Sequence, residues 1–163
     1  CSVRRQRQMC IRDRIKYSSL KLEKSFDFGK WTLDNSIIYQ MINQNDDILN
    51  LPKFMSRNTF FFSERIFRNT LAIQTGINFK IFSKYYANEY NPLISDFHIQ
   101  NQKKIGSFPL FDFFFNAKIR QTKIFIIAEH VNSSFTGNNF YSTPESVYRD
   151  FGVRFGFKWN LFN

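Results

Sequence analysis

The sequence predicts an all-β chain: an antiparallel up-and-down meander of about seven long strands, the C-terminal part of a transmembrane β-barrel. Three observations lead to this fold class. Most candidate strands alternate apolar and polar residues over about 12 to 14 positions, whereas strands of globular proteins usually run nearer about five or six. The connections between them alternate in length. Aromatic residues make up 19% of the chain, with 22 Phe, yet no apolar run approaches the roughly 18 residues of a transmembrane helix.

The last strand shows the alternation most clearly, in FGVRFGFKWNLFN at 151–163. Every odd position from Phe151 to Leu161 is apolar, and the even positions between them are Gly152, Arg154, Gly156, Lys158 and Asn160. Successive side chains of a strand point to opposite faces, so this strand has one apolar and one polar face. The apolar face meets either a protein core or lipid.

Seven segments are strand candidates: 16–28, 31–43, 53–68, 70–83, 108–120, 123–134 and 150–162. Their length suits tilted strands that cross a bilayer with about 9–11 residues plus their ends. The third segment has an irregular parity, because Phe60, Phe61 and Phe62 follow one another. A β-bulge would account for that irregularity.

The connections between these segments run short, medium, short, long, short, long, over 29–30, 44–52, 68–70, 84–107, 121–122 and 135–149. In outer-membrane barrels the short turns face the periplasm and the long loops face outward, which places the C-terminus at the periplasmic end. Aromatic residues that would form interfacial girdles stand at or near segment ends. They are Trp31, Tyr39, Tyr85, Tyr86, Tyr141 and Trp159.

The alternation assigns side chains to lipid or to a polar lumen. The lipid-facing candidates are Phe111, Phe113, Phe115, Phe155, Phe157 and Trp159. The lumen-facing candidates are Asp34, Lys80, Asp112, Lys118, Arg120, Arg154 and Lys158. Arg or Lys facing lipid near the midplane costs about 2–4 kcal/mol, which favours the lumen for these charges. The lumen candidates lean basic and would mildly favour anions, although they also suit hydrogen bonds across the wall or positions at the periplasmic rim.

The first fourteen residues, CSVRRQRQMCIRDR, differ from the rest: they hold +4 of the net charge of +10 and both cysteines, with no aromatic residue. They suit a polybasic phosphate-binding arm or a lipidated Cys1. They also resemble translated sequencing-adapter read-through, the interpretation that we favour. We therefore divide the chain into a non-native segment, 1–14, and a partial outer-membrane β-barrel, 15–163. The latter has no initiating Met and is expected to be the C-terminal part of a longer protein.

Five strings are distinctive: LNLPKF at 49–54, FSKYYANEYNP at 82–92, KIGSFPLFDFFFNAKI at 104–119, EHVNSSFTGNNFYSTP at 129–144 and the closing FGVRFGFKWNLFN. They resemble the C-terminal region of the putative porin family of Bacteroidetes outer membranes. The resemblance is close over 50–163, looser over 15–49 and absent over 1–14. The loop strings are fairly specific, whereas many barrels share the strand pattern.

The resemblance implies a large outer-membrane β-barrel for passive diffusion of small hydrophilic solutes through a polar lumen. It implies no enzymatic activity, no cofactor and no metal. The expected partners are outer-membrane lipid, the barrel-assembly machinery and the missing N-terminal strands of the same chain, with no nucleic acid. Trp159, Leu161 and Phe162 are the candidate C-terminal assembly signal. That signal departs from the common pattern, because Asn163 and not an aromatic residue is last.

Other classes of site have weaker support. Adjacent strand residues point to opposite faces, so Glu129 and His130 form no catalytic pair, and we expect His130 in the lumen or at its rim. His98 and Asp96 lack a third metal ligand nearby. The alternative to a porin is a soluble lipid- or ligand-binding β-barrel. A nucleic-acid-binding module depends almost wholly on residues 1–14.

Overall fold

The computed structural model describes residues 15–45, 49–68, 70–136 and 140–160. The elements within these ranges are, in chain order, β1 (Lys16–Phe28), β2 (Trp31–Asn43), β3 (Phe54–Ile66), β4 (Leu71–Phe82), β5 (Tyr85–Tyr86), β6 (Glu89–Asn91), β7 (Asp96–His98), β8 (Lys104–Ile105), β9 (Leu110–Ile119), β10 (Thr122–Glu129), α1 (Ser133–Thr136), β11 (Tyr141–Thr143), β12 (Ser146–Val147) and β13 (Gly152–Trp159). No helix among them is long and apolar enough to cross a bilayer.

Seven of these strands form one sheet in the order β1-β2-β3-β4-β9-β10-β13. Every neighbouring pair is antiparallel. The prediction of an all-β, seven-stranded antiparallel meander is therefore confirmed. The β1–β2, β3–β4 and β9–β10 turns lie at one end of the sheet, which we name the turn end. The three longer connections lie at the opposite end, the loop end, and the two longest of them contain the short strands.

The expected bulge in the third segment is wrong. Phe60, Phe61 and Phe62 continue an unbroken register with β4, and Phe61 lies opposite Gly76. A Cβ atom at Gly76 would stand 2.3 Å from the carbonyl oxygen of Phe60 and 2.5 Å from Cβ of Phe61. Three consecutive phenylalanines therefore fit a regular strand because the glycine leaves room for the middle one.

The sixth segment is shorter than predicted. β10 ends at Glu129, because His130 has a φ of 53°, in the left-handed region that a strand does not use. The chain then turns into α1, so the last five residues of the predicted strand 123–134 belong to the loop end. β9 begins two residues after its predicted start at 108. β13 begins two residues after its predicted start at 150 and ends three residues before its predicted end at 162.

The register divides the sheet into two faces, because directly paired residues point to the same side and successive residues alternate. We name them the apolar face and the polar face. The apolar face carries a broad exposed band, in which Phe155 and Phe157 are 84% and 75% exposed. Aromatic pairs cross the strands of this face: Trp31 stacks on Phe60 at 5.0 Å, and Phe79 lies 4.9 Å from Phe111. Nothing in the described residues covers this band.

A small hydrophobic core lies at the loop end of the polar face. Its buried members are Phe108, Leu110 and Phe140, packed against Phe82 and Tyr148. Phe82 and Leu110 belong to the sheet, and the register places both on the polar face. The other members come from the two longest connections. These loops therefore fold against the polar face, and we name the cluster the aromatic cap.

Candidate functional site on the polar face

Six of the seven residues predicted to face a lumen share the polar face of the sheet. The register places Asp34, Lys80, Asp112, Lys118, Arg154 and Lys158 there. Arg120 lies in the β9–β10 turn with a φ of 50°, so it belongs to the rim of the turn end and not to a strand face. That these side chains meet a water-filled lumen stays a prediction.

All six residues predicted to face lipid lie on the opposite, apolar face. Trp159 is the last residue of β13 and is 61% exposed. The other two members of the candidate assembly signal, Leu161 and Phe162, lie outside the described residues. Contact with lipid and a role in assembly stay predictions.

The predicted aromatic girdle is only partly present on the sheet. Trp31, Tyr39 and Trp159 lie on the apolar face near strand ends. The other three aromatic residues belong to the short strands β5 and β11 in the loops. Polar residues also interrupt the apolar face, among them a row in which Lys24, Asn35 and Asn58 are direct partners across β1, β2 and β3.

The polar face forms an open hollow over β1 to β4, with a volume of about 750 Å³. Charged and hydroxyl side chains line it, among them Lys21, Glu23, Asp34, Ser36 and Arg57. Several are bonded to one another: Ser25 donates to Asp34 and Ser36 donates to Glu23 at 3.4 Å across β1 and β2, and Lys21 pairs with Glu23 at 2.6 Å along β1. This surface suits water and polar solutes.

Asp112 connects the wall to the loop end. Lys80 Nζ donates to its Oδ2 at 2.6 Å, and the backbone N–H of His130 donates to its Oδ1 at 3.0 Å. Asp112 is only 7% exposed, so it is a structural member of the polar face and not a freely hydrated charge. The hydrogen bond to His130 holds the first residue of the last long loop against β9.

His130 differs from its prediction as a lumen or rim side chain, because it is buried, with 1% exposure. Its Nδ1 lies 2.6 Å from the carbonyl oxygen of Arg149, which accepts only, so Nδ1 carries the hydrogen. The ring packs edge-on against Phe140 at 4.5 Å and Tyr148 at 5.6 Å. His130 thus joins both ends of the loop to the aromatic cap. The sequence contained no signal for this role, because burial here depends on residues 10 to 19 positions away.

The charges near the loop end are mostly paired. Glu129 accepts from Arg154 and lies 3.7 Å from Arg149. Lys80 pairs with Asp112, so these two acids compensate Lys80, Arg149 and Arg154 near the loop end.

The two longest loops are also joined to each other. Lys103 Nζ donates to the carbonyl oxygen of Pro144 at 2.6 Å and lies 3.8 Å from the ring centre of Tyr141. Gln100, which is 9% exposed, bonds the backbone of Ala87 and Lys103 and stabilises the first loop from within. Burial in the same loop raises the pKa of the Tyr85 hydroxyl above its ordinary value.

The described residues contain no group of three or more His, Cys, Asp or Glu that could hold a metal ion. His98 pairs with Glu89 across β6 and β7, with 3.5 Å between Nε2 and Oε2. Asp96, the neighbour considered from the sequence, instead accepts a hydrogen bond at Oδ1 from the backbone N–H of Phe97 at 2.7 Å.

Comparisons with known proteins agree with this architecture. Residues 5–163 match the family described as Putative porin. No curated protein and no solved structure matches the chain. The family match begins inside the Arg-rich segment 1–14, so it covers more of the chain than the resemblance in the five strings, and it does not separate that segment from the rest. A match over nearly the whole length shows that the chain belongs to the Putative porin family.

Proposed function

We propose that this chain forms part of the wall of an outer-membrane channel through which small hydrophilic solutes diffuse passively. The observation that carries the proposal is the separation of the two faces of one long-stranded sheet. One face exposes a band of Phe, Ile, Leu and Trp, and the other carries mostly charged, amide and hydroxyl side chains, with one apolar row of Phe61, Phe114 and Ile127. Lipid outside and water inside satisfy both faces, as in porins. Membership of the Putative porin family supports the same function.

The mechanism needs no covalent step and no cofactor in this proposal. Solutes pass along the polar face, whose bonded network keeps side chains such as Glu23 and Asp34 in place. The aromatic cap narrows the passage at the loop end, because Phe108 and Phe140 come from the loops and pack over Leu110. Solutes would then be selected by size at the aromatic cap, and the open hollow over β1 to β4 would offer little resistance to their diffusion.

The sheet has two edges among the described residues, β1 and β13. An unpaired edge exposes a row of backbone N–H and C=O groups, which is costly in a membrane. Bacterial barrels have an even number of strands from about eight upward. We propose that further strands of the same chain pair with these edges, and that the barrel-assembly machinery recognises the region of Trp159 during insertion.

Cysteine scanning along β13 tests the orientation of the faces. The single substitutions Arg154→Cys, Phe155→Cys, Phe157→Cys and Lys158→Cys are made in a background without Cys1 and Cys10, and the protein is labelled in membranes. A membrane-impermeant maleimide should label positions 154 and 158 well and positions 155 and 157 poorly. The two pairs are neighbours on one strand, so each is the control for the other. Equal labelling would contradict the lipid-facing assignment, and extraction into buffer without detergent would favour the soluble barrel instead.

A second test measures transport itself. The purified protein, reconstituted into planar bilayers, should show ohmic conductance steps. Liposomes that contain it should swell in small sugars and not in large ones. An absence of both in correctly folded protein would refute the channel.

A further inference from the structure

The turn half of the polar face carries a longer row of basic side chains than the loop half, where Arg57 and Lys80 are direct partners. Lys118, Lys123 and Lys158 are direct partners on the adjacent strands β9, β10 and β13. On the other side of Lys118, Ala72 is its partner on β4, and Arg65 is the partner of Ala72 on β3. All four basic residues are exposed and lie on the same face. We name this set the basic row.

The basic row is concentrated. Adjacent strands are about 4.8 Å apart, so Lys118 and Lys158 stand about 10 Å apart with Lys123 between them, and Arg65 stands about 10 Å to the other side. Neighbouring lysines of the row, about 4.8 Å apart, act together, because the Debye length at physiological salt is about 8 Å. Ala72 is small and leaves open space between Arg65 and Lys118. The row therefore presents four positive charges around an accessible gap.

No acid compensates these charges. In the parts of the chain that the structure describes, none of the four basic residues takes part in an ion pair, whereas Lys80 and Arg154 on the same face both do. Like charges directly opposite one another on paired strands are destabilising. Ion pairs within the protein therefore do not account for the basic row. A bound anion from solution would reduce the repulsion between its charges.

The side chains beside the row suit a polar anion. One register step toward the loop end lie Gln74 and Asn116, which are direct partners on β4 and β9. Asn116 Nδ2 donates to Gln74 Oε1 at 3.4 Å, and the remaining amide hydrogens are neutral donors next to the ammonium groups. The preference of Lys and Arg for phosphate and carboxylate oxygens indicates the ligand class.

We propose that the basic row is a binding site for phosphate- or carboxylate-bearing solutes, and that it makes the channel anion-selective at its turn end. The inference rests on the proposed function, since it assigns the polar face to the lumen. It goes further by naming the selecting residues, of which Arg65 and Lys123 were not among the sequence candidates. The row lies opposite the apolar face, so its ligand is a dissolved anion and not a lipid headgroup.

The test compares two variants with the same loss of charge. Lys118→Gln/Lys123→Gln/Lys158→Gln neutralises three of the four charges of the basic row, and Lys53→Gln/Lys84→Gln/Lys104→Gln removes three exposed lysines near the loop end. Reversal potentials in a KCl gradient across planar bilayers give the ratio of chloride to potassium permeability. The field of clustered charges concentrates counter-ions by about 10-fold or more. We therefore expect the first variant to lower the ratio by at least about 3-fold, and the second by less than half of that change.

Pyrophosphate serves as the probe of binding. It should reduce the chloride current of the wild type and not that of the row variant. Conducting wild-type channels without anion preference, or equal ratios in both variants, would overturn the proposal while the channel function stands. If the wild type does not conduct, the channel function fails. Equilibrium dialysis of pyrophosphate against the detergent-solubilised protein then tests the binding site separately from conduction. Loss of binding in the row variant supports the site. Unchanged binding in the row variant, or no binding to the wild type, refutes it.

Discussion

Replacement of Asp112 tests whether the wall and the loop end are joined as the structure shows. In Asp112→Leu, the backbone N–H of His130 loses its acceptor in a buried place, which costs about 1–3 kcal/mol. Lys80 loses its partner too, but its side chain is 41% exposed and can turn to water. That loss adds at most about 1 kcal/mol. We expect a decrease of about 2–3 kcal/mol in the free energy of unfolding.

Asp112→Asn separates the two contributions. The amide keeps one carbonyl oxygen for the N–H of His130 and loses the charge that pairs with Lys80. Its effect should therefore be about 1 kcal/mol or less. The matched control is Asp27→Asn on β1, an exposed carboxylate whose partner is the hydroxyl of Thr32 at 2.9 Å. A change within about 0.5 kcal/mol is expected there.

The assay is equilibrium unfolding in urea from lipid vesicles, followed by the fluorescence of the two tryptophans. Limited proteolysis of the folded protein reports on the loop after His130, which should be cut faster in Asp112→Leu than in the other variants. The reasoning is refuted if Asp112→Leu and Asp112→Asn are equally stable, or if the loop is cut at the wild-type rate. Either result would show that the Asp112–His130 hydrogen bond does not hold the loop.

Three further substitutions have defined outcomes. Gly76→Val should destabilise the protein by about 2 kcal/mol or more in the same urea assay, because the new Cβ meets the backbone of β3 at 2.3 Å; Gly152→Ala, with nothing within 4 Å of the added atom, is the control. Phe155→Arg on the apolar face should cost about 2–4 kcal/mol in a bilayer, and a cost equal to that of Asn116→Arg on the polar face would contradict the assignment of the faces. Lys103→Ala should release the second long loop, seen as faster proteolysis between 140 and 150; an unchanged rate would show that this contact does not join the loops.

The strands could be predicted from the sequence because their pattern is local. Each strand alternates over 8 to 13 residues, and the burial of one face requires that alternation wherever the strand lies in the sheet. The register of β9 places Phe111, Phe113 and Phe115 on the face opposite to Asp112, as the alternation requires. One exception to this alternation is explained by the neighbouring strand. Phe61 breaks the parity of its segment, and the reason is Gly76 on the next strand.

The loop end was less predictable. In the sequence, His130 fits the alternating pattern of the predicted strand 123–134. In the structure, its positive φ ends the strand and its ring is buried between Phe140 and Tyr148. Phe140 in turn packs against Phe108 of the other long loop at 5.0 Å between ring centres. Hydrophobic residues in a loop show no period that would distinguish a cap from an exposed surface.

The sequence by itself determined the fold class, the two faces and the order of short and long connections, because the two-residue period and the turn positions follow from covalent geometry and the solvent on each side. Only the tertiary structure decided which side chains meet across strands. The register placed Lys118, Lys123 and Lys158 side by side and paired Lys80 with Asp112. Register depends on how whole strands align, so residues that are 40 positions apart in the chain become one cationic surface.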